Sequence, residues 1–263
     1  MRKKLTISSI KKAKGEKPLV MITAYDALFA KLLAPSADMI LVGDSLNMSF
    51  AGKSDTISTT LEQMIYHTNA VSAGAPNSFI ICDMPFGTYV NADIALQNAI
   101  KVFQETASDC VKIEAGADKA HIIKHLTDNA IAVCGHIGLL PQSVRSEGGY
   151  KVKGKTQQEK TQLIADAKAV ESAGAFCMVI EGVKADVAKE VAEAVSIPVI
   201  GIGAGKDVDG QVLVFSDMLG LFEEFTPKFV KKYIDGASLV KNAVSEYADE
   251  VHSREFPKEE HTY

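Results

Sequence analysis

A chain of 263 residues, 47% hydrophobic and 23% charged, can bury one sizeable core without disulfide or metal staples. Its net charge of -5 argues against a nucleic-acid partner, which would favour a basic face. No apolar run reaches the ~18–20 residues that a membrane span needs.

Four cysteines, Cys82, Cys110, Cys134 and Cys177, lie far apart in or beside apolar runs, with no C-x-x-C pair. They read as buried thiols in a reducing, cytoplasmic compartment, not as a zinc site or a disulfide framework. The N-terminal residues 1–4 are basic, but no signal-peptide core follows them.

A short helix is expected over residues 6–14. Apolar runs then recur at 19–23, 39–43, 79–82, 110–113, 130–135, 176–180, 198–202 and 212–215. They are nearly continuous in β-formers, as strands of a parallel sheet buried on both faces are. Helices are expected between them, among others at 60–73, 92–108, 156–173 and 184–195. Gly74 and Gly174 follow two of these as C-terminal caps.

Repeated β-α units leave a closed barrel or an open doubly wound sheet. The first strand lacks the G-x-G-x-x-G of a dinucleotide fold. Gly201, Gly203 and Gly205 cluster instead after the seventh strand, where barrels place ligand-cradling loops. The expectation is a (β/α)8 barrel filling residues 1–263 as a single domain. A charged tail over 250–263 is either mobile or an oligomer arm.

Catalytic residues of such barrels sit at the carboxyl ends of the strands. Five consecutive runs end on or beside Asp44, Asp83, Glu114, His136 and Glu181. Singly, an aspartate there is as readily a turn or helix cap, a glutamate a solvated loop residue, and a histidine a core residue satisfied by backbone. Jointly, Asp44, Asp83 and Glu114 would converge on one mouth. Unit charges ~4 Å apart repel by several kcal/mol at an effective dielectric near ~20, so a cation among them is expected. Oxygen ligands with open positions select Mg2+. Lys112, two residues before Glu114, faces the same side of its strand and needs an anion, from a carboxylate or a substrate. Glu181 is left as a candidate general base.

With these residues in place, the chain resembles the ketopantoate hydroxymethyltransferase family over nearly its whole length. The resemblance rests on Thr23-Ala24-Tyr25-Asp26, the run from Asp38 to Leu46, Met64-Ile65-Tyr66-His67-Thr68 and Asp83-Met84-Pro85-Phe86. Further matches are Val111-Lys112-Ile113-Glu114, the run from Gly135 to Leu139 with Pro141-Gln142, Gly149-Tyr150-Lys151-Val152 with Gly154-Lys155, Val179-Ile180-Glu181, the run from Gly201 to Gly205, and the run from Asp209 to Val214.

The resemblance implies a (β/α)8 barrel that transfers a hydroxymethyl group from 5,10-methylenetetrahydrofolate to 3-methyl-2-oxobutanoate through a Mg-stabilised enolate. The product is 2-dehydropantoate, at the first step of pantothenate biosynthesis. It further implies one Mg2+ per subunit on Asp44, Asp83 and Glu114, a 2-oxo acid bound by Asp44, Ser45, Asp83 and Lys112, and Glu181 as proton acceptor. His136 matches a pocket histidine of the family. The implied assembly is a homo-oligomer, a decamer. Asn47 and Ala115 stand where glycines are expected, and Phe215-Ser216-Asp217 lacks an expected histidine. Two other readings stay open at this point, a Mg2+-dependent lyase or phosphonomutase and a non-catalytic barrel.

Overall fold

The computed structural model describes residues 4–223 and 226–263, so most of the basic start lies outside the described residues. The chain divides into two compact units, Met1–Val214 and Phe215–Tyr263.

The first unit contains a closed barrel of eight parallel strands in sequential order, each beside its successor and β8 beside β1. The strands are β1 Leu19–Thr23, β2 Met39–Val42, β3 Phe79–Asp83, β4 Cys110–Glu114, β5 Val133–Gly138, β6 Cys177–Glu181, β7 Val199–Ile202 and β8 Gly210–Leu213. The (β/α)8 expectation is therefore met. All eight strands fall within a few residues of the apolar runs. The eighth begins earlier than its run, at Gly210, where a Cβ would stand 2.5 Å from the Leu19 carbonyl oxygen. Only a glycine lets β8 close against β1 there.

Helices connect the strands on the outside. Thr60 and Thr156 cap Leu61–Gly74 and Gln157–Ser172, each side chain accepting from the third residue of its helix. Gly174 follows its helix at φ 96°, as a C-cap glycine does. Gly74 is different, being the last helical residue itself. A Cβ on it would lie 2.1 Å from the Ala27 carbonyl oxygen, so it is a close-packing glycine.

The barrel interior is apolar at its amino end. Met21, Met39, Phe79, Ile81, Cys110, Cys134, Cys177, Val179, Ile200 and Val212 pack there, and Ile10 of the helix Ile7–Lys12 is buried among them. Leu5, Ile7 and Ala13 pack against the same cluster, so the expected first helix plugs that end. All four cysteines are buried and free.

The second unit contains the short helix Phe215–Met218 and the long helix Gly236–Ser253, which takes in the start of the expected tail. Residues beyond it carry a short 3-10 turn, Glu259–His261, and are largely exposed. No helix among the described residues is long and apolar enough to cross a membrane.

Candidate active site

Side chains alternate across a strand, and one face of each barrel strand points inward. In β3 the inward set begins with Phe79 and Ile81 and reaches Asp83; in β4 it runs from Cys110 to Lys112 and Glu114. In β5 it runs from Cys134 to His136, and in β6 from Cys177 and Val179 to Glu181. The alternation that packs the amino end with apolar groups thus delivers ionisable ones to the carboxyl end. Register sets their neighbours, with Asp83 beside Lys112 and Glu114 beside His136.

Asp44 arrives from the turn after β2, where its backbone N–H donates to Asp83 Oδ2 at 3.1 Å. Gly43 leaves space for this turn, since a Cβ there would meet Ser45 Oγ at 2.8 Å. Ser45 Oγ is 2.8 Å from the hydroxyl of buried Tyr25, and His67 Nδ1 donates to the Tyr25 carbonyl at 2.6 Å. The motif residues Tyr25 and His67 therefore form the support behind Ser45. Asp26 has a separate task, capping the helix Ala27–Leu33 by accepting from the Phe29 N–H at 2.9 Å.

The remaining ionisable groups form one contiguous cluster. Lys112 Nζ lies 3.2 Å from Asp83 Oδ1 and 3.0 Å from His136 Nδ1. The same Nδ1 is 3.8 Å from Glu114 Oε1, while on the other side of the ring His136 Nε2 stands 3.2 Å from Glu181 Oε2. Asp44, Asp83, Lys112, Glu114 and His136 are each 5% exposed or less. The Glu181 side chain, at 20%, is the one open to the mouth.

Burial and crowding govern the charges. Asp44 is pushed up to about 7, first by burial and then by the Asp83 carboxylate. Glu114 is held well above the usual carboxylate range by burial and then by Asp44. Burial alone would lower Lys112, but Asp83, Glu114 and Asp44 outweigh it and keep the ammonium charged. His136 falls well below its ordinary value through burial and then Lys112, so its imidazole is neutral at pH 7. Burial raises Glu181 to about 7 against the pull of Lys112.

The donor chemistry fits a hard cation. Glu114 Oε1 is buried without a hydrogen-bond partner, Asp83 Oδ1 faces only the Lys112 ammonium, and one lysine stands against Asp44, Asp83 and Glu114, with Asp83 raising Asp44 and Asp44 raising Glu114. Among the described residues, however, no three His, Cys, Asp or Glu side chains already stand as a metal-holding group. Asp44, Asp83 and Glu114 belong to one cluster without forming a finished cage.

Sequence reasoning missed the residue that joins these acids. Gln142 follows β5 on the 3-10 turn Pro141–Ser143 and is buried. Its Nε2 donates to Asp44 Oδ2 at 2.8 Å and to the Met84 carbonyl at 3.0 Å, and its backbone N–H donates to Glu114 Oε2 at 3.1 Å. The hydroxyl of buried Tyr89 donates to Gln142 Oε1. The only signal in the sequence was the dipeptide Pro141-Gln142 after a strand.

Of the glycines at the end of β7, Gly205 is required by packing, since a Cβ on it would lie 2.5 Å from that of Ala185. Around the mouth, Lys153 forms a parallel bridge with Val183 after β6, and Arg145 pairs with Asp55 at 2.9 Å. Asn47 is buried and donates to the Asp55 carbonyl at 2.7 Å and to Ser58 Oγ at 3.0 Å, so its departure from glycine is put to use in tethering that loop.

A buried acid–lysine–histidine cluster at the carboxyl mouth of a (β/α)8 barrel defines a barrel enzyme. Residues 4–259 match the ketopantoate hydroxymethyltransferase family, and the chain belongs to that family as a hydroxymethyltransferase. It is 78% identical over 263 residues to the 3-methyl-2-oxobutanoate hydroxymethyltransferase of Sulfurimonas denitrificans, covering 100% of both chains. To the Aliarcobacter butzleri protein of the same name it is 66% identical over 260 residues, covering 99% of this chain and 97% of the other. Among solved structures it is similar to a 2,3-dimethylmalate lyase at TM-score 0.59 and 14% identity, covering 94% of this chain and 98% of that one. That likeness shows a shared fold alone. Family membership decides against the lyase and non-catalytic readings.

Proposed function

We propose that the protein transfers a hydroxymethyl group from 5,10-methylenetetrahydrofolate to 3-methyl-2-oxobutanoate, giving 2-dehydropantoate at the first step of pantothenate biosynthesis. The observation that carries this reading is the placement of Glu181. It is a carboxyl raised to about 7 and open to the mouth, facing a neutral His136 across the barrel from the Asp44–Asp83–Lys112 group. The names of the two relatives support the acceptor.

Asp44, Asp83 and Glu114 would hold one divalent cation per subunit, with Mg2+ favoured by the all-oxygen donors. When bound, such a cation supplies Lewis-acid polarisation of a keto oxygen. Lys112, charged and buried, binds the carboxylate of the 2-oxo acid, and the Ser45 hydroxyl, steadied by Tyr25, orients it. Glu181 takes the C3 proton, since a base near 7 is matched to neutral solution. His136 completes the pocket wall between Lys112 and Glu181. The one-carbon electrophile comes from the folate, and the protein contributes alignment.

Four buried free thiols support a cytoplasmic setting. Val240, Val244, Tyr247 and Val251 form an exposed apolar stripe along Gly236–Ser253, which supports a homo-oligomer, a decamer in our reading.

A coupled assay tests the reaction. 2-Dehydropantoate should appear only when the keto acid, the folate and Mg2+ are all present. Consumption of the keto acid without folate, or full turnover in a chelator, overturns the reading.

A further inference from the structure

The carboxylates of Asp44 and Glu114 come from different strand ends, and both are bonded to a single residue that carries no charge. Gln142 holds Asp44 Oδ2 through its side-chain amide and Glu114 Oε2 through its backbone N–H. One oxygen of each acid is thereby fixed in direction. Both Nε2 hydrogens are committed, to Asp44 and to the Met84 carbonyl; the carbonyl can only accept, and so can Asp44 in the ionised form that a cation would meet. Turning the amide over would set Oε1 against two acceptors in a buried site. On the far side, the Tyr89 hydroxyl donates to Oε1, a bond that the turned amide could not receive with its oxygen. Both donors and the oxygen of this amide are thus engaged, and in one orientation only.

From this geometry we propose that Gln142 is a positioning residue for the acid cluster and that Tyr89 locks its amide. The pair sets the directions in which Asp44 and Glu114 offer their remaining oxygens to a divalent cation. The inference rests on the functional reading above, in which these acids hold that cation. Partners that orient metal ligands typically contribute about 10–100-fold to metal affinity.

Mn2+ binding to the substrate-free protein, followed by electron paramagnetic resonance of the free ion, tests the inference independently of turnover. Gln142→Leu keeps the backbone bond to Glu114 but loses both amide bonds, and should weaken Mn2+ binding roughly 10–100-fold. Tyr89→Phe removes only the lock and should weaken it in the same direction. The double variant should bind no more weakly than Gln142→Leu alone, because Tyr89 acts through Gln142. Should Gln142→Leu not fold, Tyr89→Phe alone decides. Wild-type affinity in the folded Tyr89→Phe protein, or losses that multiply in the double variant, overturns the inference while leaving the metal site intact. A wild-type protein that binds no Mn2+ removes the functional reading as well, so the two failures are told apart.

Discussion

Lys112 Nζ and His136 Nδ1 approach to 3.0 Å on neighbouring strands, which fixes the histidine tautomer. A charged lysine has donors and no acceptor, so Nδ1 must be the bare nitrogen. The ring proton then sits on Nε2, the nitrogen 3.2 Å from Glu181 Oε2. Burial and the adjacent ammonium both oppose a second proton. In 15N-labelled protein, His136 should show an unprotonated Nδ1 and a protonated Nε2 throughout about pH 6–8. A Lys112→Met variant should release this preference. A wild-type ring protonated on Nδ1 would refute the assignment.

Glu181 as the base makes a separable prediction. Glu181→Gln preserves shape and hydrogen bonding but cannot accept the C3 proton. Loss of a positioned general base costs about 10²–10⁴-fold. C3 deuterium exchange into 3-methyl-2-oxobutanoate should fall by that order while keto acid binding persists. The wild-type exchange rate should rise with pH through about 7, because the carboxyl must be ionised to act. Unimpaired exchange in Glu181→Gln would take Glu181 out of this role.

Much of the barrel is legible because parallel strands buried on both faces carry a strong apolar signature, and because inward alternation can be counted from one residue. Lys112 and Glu114, two apart in β4, do share the inward face as their spacing requires. The start of β8 is obscured because its first residues, Gly210 and Gln211, are chosen for a close backbone approach and not for apolarity. Gln142 is illegible for a different reason. Its meaning lies in partners at residues 44, 84, 89 and 114, which are brought together only by barrel closure. Val240, Val244 and Val251 hide the helix Gly236–Ser253 in a similar way, since its apolar stripe is exposed among many charged neighbours.

The acid cluster should make stability depend on pH and cation together. Asp44 and Glu181 rise from ordinary values of 3.8 and 4.5 to about 7. Between about 4 and 7 the folded protein therefore keeps protons that the unfolded chain has released. More protons on the folded state means that the stability contribution of these groups is present at the acid end and is lost as pH rises through about 7. A divalent cation replaces those protons, so its effect should grow in the opposite sense. At about 100-fold above its dissociation constant a ligand adds about 2.7 kcal/mol, or several degrees in Tm. Mg2+ should raise Tm at about pH 8 and hardly at all at about pH 5. Equal shifts at both would contradict the linkage.

Gly74 offers a test of the fold that sets packing against intrinsic propensity. Alanine is favoured over glycine within a helix by about 1 kcal/mol, so propensity alone expects Gly74→Ala to stabilise Leu61–Gly74. The structure dictates the reverse. The added Cβ would lie 2.1 Å from the Ala27 oxygen and 2.7 Å from its carbon, and both are backbone atoms that no rotamer change can move aside. Either the helix Ala27–Leu33 or the helix Leu61–Gly74 must shift, and overpacking of this kind costs about 1–3 kcal/mol. Urea unfolding of Gly74→Ala should show a lower midpoint than the wild type. A higher midpoint would mean that these helices do not approach as closely as described.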